Sequence, residues 1–164
     1  MHELHTDIEI VASPQQIWDV LTDFAAYARW NPFIRQIYGD PREGSALEVC
    51  IRPPGSRRAR IRPVVVVADA PRELGWRAHL LLSEVLEVEH RFLLGSLGCG
   101  EVRFEQTLRL RGLITPLLRN SVERNVCRGV REMNAALKGR VERACECAAR
   151  RAWMTSTTPL EERE

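Results

Sequence analysis

Nowhere does this chain carry the roughly 18–20 consecutive apolar residues that a bilayer-spanning helix requires. Its first residues, Met1-His2-Glu3-Leu4-His5-Thr6-Asp7, have neither a basic n-region nor an apolar h-region, so no secretory signal is expected. Charge of one sign is not in large excess either. The 24 Lys and Arg stand against 22 Asp and Glu, a formal net charge of +2, so the chain is no polycation and nucleic acid is not an expected partner. The five cysteines, Cys50, Cys99, Cys127, Cys145 and Cys147, form an odd and scattered set, which reads as reduced thiols in a cytoplasmic protein. Cys145 and Cys147 lie two apart in a helical pattern, so their side chains diverge, and no nearby histidine or second cysteine pair completes a metal site. Nucleotide and hydrolase signatures are missing too: there is no G-x-S-x-G elbow, P-loop or dinucleotide fingerprint. Neither a metal nor another cofactor is expected.

What is present is ordinary globular material. With 164 residues, 45% hydrophobic and 28% charged, one domain can bury a sizeable core. We expect that domain over residues 1–150, followed by a polar, disordered tail over 151–164. Residues 4–12 alternate, with Ile8 and Ile10 on one face, as a first strand. Ser13-Pro14 then gives the N-cap and Pro-at-N1 pattern of a helix start, and Ile17, Trp18, Val20 and Leu21 supply its apolar stripe. A second short helix over 24–29 should stop before Pro32.

Strands follow over 33–39, 46–52 and 57–69, the last with four consecutive valines, Val64 to Val67, where a bulge is expected. The next three strands are the clearest. Leu74, Trp76, Ala78 and Leu80 share one parity, as do Leu86, Val88, His90, Phe92 and Leu94, and then Val102, Phe104, Gln106, Leu108 and Leu110. Such alternation means one wet and one enclosed face, as in an antiparallel sheet. From Pro116 the period becomes helical: Leu118, Val122, Val126, Val130, Met133, Leu137 and Val141 predict one helix of about 30 residues, near 45 Å long. Residues 111–151 carry ten Lys/Arg against four Asp/Glu, which reads as a solvated basic helix face. The whole is an α+β pattern in which a sheet can bury its enclosed face by curling around the helix.

Several stretches resemble a known superfamily. Ser13-Pro14-Gln15-Gln16-Ile17-Trp18-Asp19-Val20-Leu21, Trp30-Asn31-Pro32-Phe33, Pro71-Arg72-Glu73-Leu74-Gly75-Trp76, Glu89-His90-Arg91-Phe92 and Met133-Asn134-Ala135-Ala136-Leu137 are similar, in order and spacing, to the SRPBCC proteins. That superfamily includes START, birch-pollen-allergen and bacterial polyketide-cyclase-like members. The resemblance spans roughly residues 4–148. It implies a helix-grip fold: a seven-stranded antiparallel sheet curled around the long C-terminal helix, two short helices between strands 1 and 2, and a cavity between sheet and helix. It does not by itself separate a carrier from an enzyme.

With the apolar parity turned inward, the cavity wall should include Val49, Trp76, Val88, His90, Phe92, Phe104 and Gln106. Trp30 and Phe33 should lie at one end, with Leu118, Val122 and Met133 on the helix. Such a wall suits an apolar ligand oriented by a few polar groups. His90 is the one ionisable side chain that a clear pattern turns inward, which makes it a ligand contact, a structural histidine or a weak catalytic candidate. Glu87, Glu89, Glu101 and Glu105 take the outward parity, which argues against acid–base catalysis, while Asp23 and Glu123 are less securely placed. Arg52, Arg57, Arg58, Arg60 and Arg62 form a basic hairpin, either the wet face of an edge or a contact for an anionic membrane or protein. The leading expectation is a binder of a hydrophobic small molecule: a lipid, polyketide or aromatic metabolite. The alternatives are a polyketide cyclase, aromatase or dehydratase acting in the same cavity, and a protein-interaction module with a basic surface. A homodimer is compatible with all three.

Overall fold

The computed structural model describes residues 1–80 and 85–156. Strand β1 (His2–Val11) leads into helix α1 (Pro14–Thr22), a short 3-10 turn and helix α2 (Tyr27–Trp30). Strands β2 (Ile34–Tyr38), β3 (Glu48–Ile51), β4 (Ala59–Ile61), β5 (Val64–Asp69), β6 (Glu73–Leu80), β7 (Leu86–Gly98) and β8 (Glu101–Arg111) follow. The chain ends in helix α3 (Thr115–Ser121), a π-helical turn (Val122–Val126) and helix α4 (Cys127–Ser156). The α+β helix-grip architecture is the one expected, with one correction. Eight strands, not seven, form a five-stranded sheet in the order β1-β8-β7-β6-β5 and a three-stranded sheet in the order β2-β3-β4.

The extra strand arises at Pro63. A proline offers no N–H to a ladder, so the run expected over 57–69 breaks there into β4 and β5. At that break the chain changes partner: β4 pairs with β3, and β5 pairs with β6. The two sheets stay tied by the Ala46–Val64 bridge and by Leu47 N donating to Pro63 O at 2.8 Å. The bulge expected among the valines is present, with a register shift between Val65 and Val67.

Local chemistry sets the connections. At α1, Ser13 Oγ accepts from Gln16 N while Gln16 Oε1 accepts from Ser13 N at 2.8 Å, a reciprocal capping box. Buried Asn31 stops α2 and starts β2, its Oδ1 accepting from Phe33 N at 3.0 Å and from Ile34 N at 2.8 Å. The β8–α3 turn needs Gly112, whose φ is +131° and whose missing Cβ would sit 2.3 Å from Val85 O.

Helix α4 packs on β1 and α1, turning Val130, Met133, Leu137 and Val141 into the core. Lys138 Nζ donates to Glu9 O at 2.7 Å, and Glu142 accepts from Val11 N at 3.0 Å. The single helix expected from Pro116 is interrupted by the π-helical turn. It also runs to Ser156, so residues 151–156 are helical where a tail was expected; the rest of that tail lies outside the described residues.

Candidate functional site

Antiparallel register stacks the inward side chains of the large sheet into rows. One row is Trp76, His90, Leu108 and Leu4 across β6, β7, β8 and β1. The row beyond it is Ala78, Val88 and Leu110. On its other side lies Leu74, Phe92, Gln106 and Thr6, followed by Leu94, Phe104 and Ile8. These rows divide the interior in two. Phe92 and Phe104 stack at 6.1 Å between ring centroids, and both belong to a continuous core with Met133, Leu137 and Trp18. On the other side of the Gln106 row a separate, smaller apolar cluster forms, Leu86, Leu108 and Leu110 packed with Leu4, Val88 and Val126.

There a cavity of about 320 Å³ opens. Trp76, His90, Leu108, Val88, Leu110 and Leu86 form its wall on the large sheet. Val49, Ile51, Ala59 and Ile61, paired across β3 and β4, form the opposite wall with Phe33 and Ile34. Val126, at the end of the π-helical turn, contributes from the helical side. A π-turn inserts residues into the helical ladder and displaces the side chains around it. Beside Val126, Asn125 Nδ2 donates to Ser56 Oγ at 3.0 Å, fastening the β3–β4 turn to this segment.

Five expected wall residues therefore meet in one cavity: Phe33, Val49, Trp76, Val88 and His90. Phe92, Phe104 and Met133 are instead fully buried in the packed core. Trp30 lies against Tyr27, 4.9 Å between ring centroids, away from the cavity lining. Gln106 is buried one row behind His90. The side chains of Leu118, Val122 and Glu123 lie outside the described residues. The wall residues not singled out in advance include Leu86, Leu108, Leu110 and Ile51, each carrying the same parity signal as its named neighbours. Ala59 and Ile61 were hidden by the arginines around them.

His90 is the only ionisable side chain on this wall among the described residues. Its ring is 4.2 Å from Phe92 and 5.7 Å from Trp76, measured between centroids. Burial pushes the imidazole pKa down from 6.5 to about 4, against the opposing effect of the Gln106 hydrogen bond, so the ring is neutral at pH 7. His90 Nε2 lies 2.8 Å from Gln106 Oε1. Gln106 Nε2 donates in turn to Asn134 Oδ1, and Asn134 Nδ2 donates to Thr6 Oγ1 at 3.2 Å. All four side chains are buried. Asn134 is not among the residues that the strand parity marks. Its signal was an amide in the middle of the apolar stripe that includes Val130 and Leu137.

The strand carboxylates stay off the wall. Glu89 is buried, but on the outer face, beneath Arg77 (2.5 Å) and Arg91 (2.6 Å). Burial alone would raise its pKa; the hydrogen bonds and charges of the two arginines outweigh that and hold it below the usual 4.5. The basic hairpin faces solvent: Arg60, on the edge strand of the small sheet, and Arg62, just after it, lie 3.6 and 4.0 Å from Glu48. Among the described residues no helix is long and apolar enough to cross a membrane, and no cluster of His, Cys, Asp or Glu could hold a metal ion.

Phe33 is held from behind by helix α4. A Cβ at Gly129 would lie 2.4 Å from its ring, so Gly129→Ala must drive Phe33 toward the empty side, the cavity. A better helix former gains up to about 1 kcal/mol, while overpacking costs about 1–3 kcal/mol. We therefore expect a small net loss of thermal stability together with weaker binding of apolar probes, read by calorimetry.

A family model described as polyketide cyclase / dehydrase and lipid transport matches residues 1–146. No match is found among the curated proteins. Among solved structures, a START superfamily protein from Mycobacterium smegmatis superposes with a TM-score of 0.68 at 20% identity, covering 88% of this chain and 99% of that one. An aromatase/cyclase from Streptomyces gives 0.67 at 17%, covering 87% and 94%. Norcoclaurine synthase from Thalictrum flavum, in complex with dopamine and hydroxybenzaldehyde, gives 0.66 at 14%, covering 87% of each chain. At these identities the likeness establishes the fold alone.

Proposed function

The chain belongs to the polyketide cyclase / dehydrase and lipid transport family, and from that premise we propose that its cavity holds one hydrophobic small molecule: a lipid, a polyketide or an aromatic metabolite. The observation that supports this is the cavity itself. About 320 Å³ of space lies between the two sheets, lined by apolar side chains and a single imidazole. It falls at the lower end of the roughly 300–1,000 Å³ typical of ligand pockets.

Val88 is the position to test. It sits on the inward face of β7, opposite Ala78 and Leu110, and is half-buried, so a larger side chain extends into the void before it meets packed core. Val88→Trp should weaken binding of naphthalene, an uncharged apolar probe, at least about tenfold while the protein stays folded. Unchanged affinity in a folded variant would refute the proposal. Native mass spectrometry of the purified protein should also reveal a co-purifying apolar ligand.

A cyclase, aromatase or dehydratase acting in the same cavity is the second reading, favoured by the imidazole on the wall. Against it, no Asp, Glu, Lys or Tyr joins His90 there among the described residues. In that reading His90→Gln abolishes turnover of a polyketide substrate; in the binding reading no turnover exists to abolish.

A further inference from the structure

The buried chain behind His90 has a direction. A side-chain amide donates only through nitrogen and accepts only through oxygen, so each link dictates the next. Thr6 Oγ1 accepts from Asn134 Nδ2, and Asn134 Oδ1 accepts from Gln106 Nε2. Gln106 is thereby left with its oxygen turned to His90 Nε2, 2.8 Å away. Two lone pairs cannot face each other at that distance, so Nε2 carries the proton. A neutral imidazole has one N–H, and Nδ1 therefore keeps a bare lone pair. Nδ1 has no hydrogen-bond partner among the described residues.

The surroundings keep that lone pair in place. Phe92 and Trp76 pack against the ring, and no charged side chain joins His90 on the wall among the described residues. An imidazolium is therefore disfavoured, and an anionic ligand would bring a charge into the cavity with nothing to balance it. The indole N–H of Trp76, which also lines the cavity, makes no hydrogen bond among the described residues. An acceptor on His90 and a donor on Trp76 suit one group best, because a hydroxyl both donates and accepts.

Resting on the reading that the cavity holds a small molecule, we infer that its ligand is an uncharged, mostly apolar molecule bearing a hydroxyl of phenol, enol or alcohol type, which donates to His90 Nδ1. The Thr6–Asn134–Gln106 chain is the positioning device. It touches no ligand but sets which imidazole nitrogen faces one.

Two measurements on the intact protein decide this. Long-range proton–nitrogen correlation spectra at pH 7, with the His90 signals assigned by comparison with His90→Gln, should show the proton on Nε2 and a bare Nδ1. A proton on Nδ1 overturns the inference whatever binds, because the site would then present a donor. Calorimetric titration with naphthol, methoxynaphthalene and naphthoate is the second. Naphthol should bind about tenfold more tightly than its methyl ether, with naphthoate weaker than both and the Nδ1 resonance shifting only with naphthol. Equal affinity for naphthol and the ether overturns the inference and leaves the cavity reading standing. If none of the three binds, the cavity reading fails and the inference falls with it.

Discussion

Lowering the pH from 6.5 to 4 is expected to remove about 3 kcal/mol of folding stability through one side chain, His90. Above pH 6.5 the imidazole is neutral in both the folded and the unfolded chain, and its burial carries no protonation cost. Between 6.5 and about 4 the unfolded chain takes up a proton that the folded protein refuses, so the balance moves toward unfolding. Below about 4 both forms are protonated and the loss is complete. The cause is burial against Phe92 and Trp76, which the Gln106 hydrogen bond opposes without cancelling.

The carboxylates with lowered values, Glu89 and Glu142, act in a different window. Their contribution is full above the ordinary 4.5 and is lost as pH falls through their depressed folded values. Urea unfolding at pH 7, 6, 5 and 4 therefore separates the two effects. His90→Gln, which can still donate to Gln106, should flatten the slope between 6.5 and 4 and keep the steeper loss below it. An unchanged slope in that variant would show that His90 is not the group responsible.

Gln106→Leu should destabilise the protein by about 2–6 kcal/mol. The substitution is apolar and close in size, so the cost comes from the groups it strands. His90 Nε2–H and Asn134 Oδ1 each lose a buried partner, at about 1–3 kcal/mol apiece. For a chain of this length the midpoint of thermal unfolding should fall by about 10 °C. The double variant Gln106→Leu/Asn134→Leu removes the stranded acceptor as well, so its cost should be less than the sum of the two single changes. Additive losses would mean that the four side chains do not act as a unit.

The residues that made the site legible in the sequence were those of β6, β7 and β8. Strict alternation put Trp76, Val88 and His90 on the enclosed face and Glu87, Glu89 and Glu101 on the other, because consecutive strand residues point to opposite sides. The same parity could not separate His90 from Phe92, which share a face. The difference between them is one row of the register: Phe92 lies where aromatic rings and α4 fill the interior, and His90 lies where they do not. Parity gives a face, and depth along the strand requires neighbours. Ala59 and Ile61 were illegible for another reason, since only the facing sheet makes this short, largely exposed strand part of a cavity wall.

The helix-grip class came from the family resemblance, while the residues themselves determined the α+β pattern and the inward sets of the three long strands. The latter two follow from local chemistry: the Ser13 capping box, proline at helix and strand limits, and periods of two or near four. Tertiary structure alone decided that the strands on either side of Pro63 join different sheets, that a π-helical turn interrupts the final helix, and that the cavity lies on one side of the Gln106 row. It also joined Thr6, Gln106, Asn134 and His90, up to 128 positions apart, into one buried chain. A hydrogen bond depends on distance in space, and distance in space between remote residues is set only when sheet and helix close on each other.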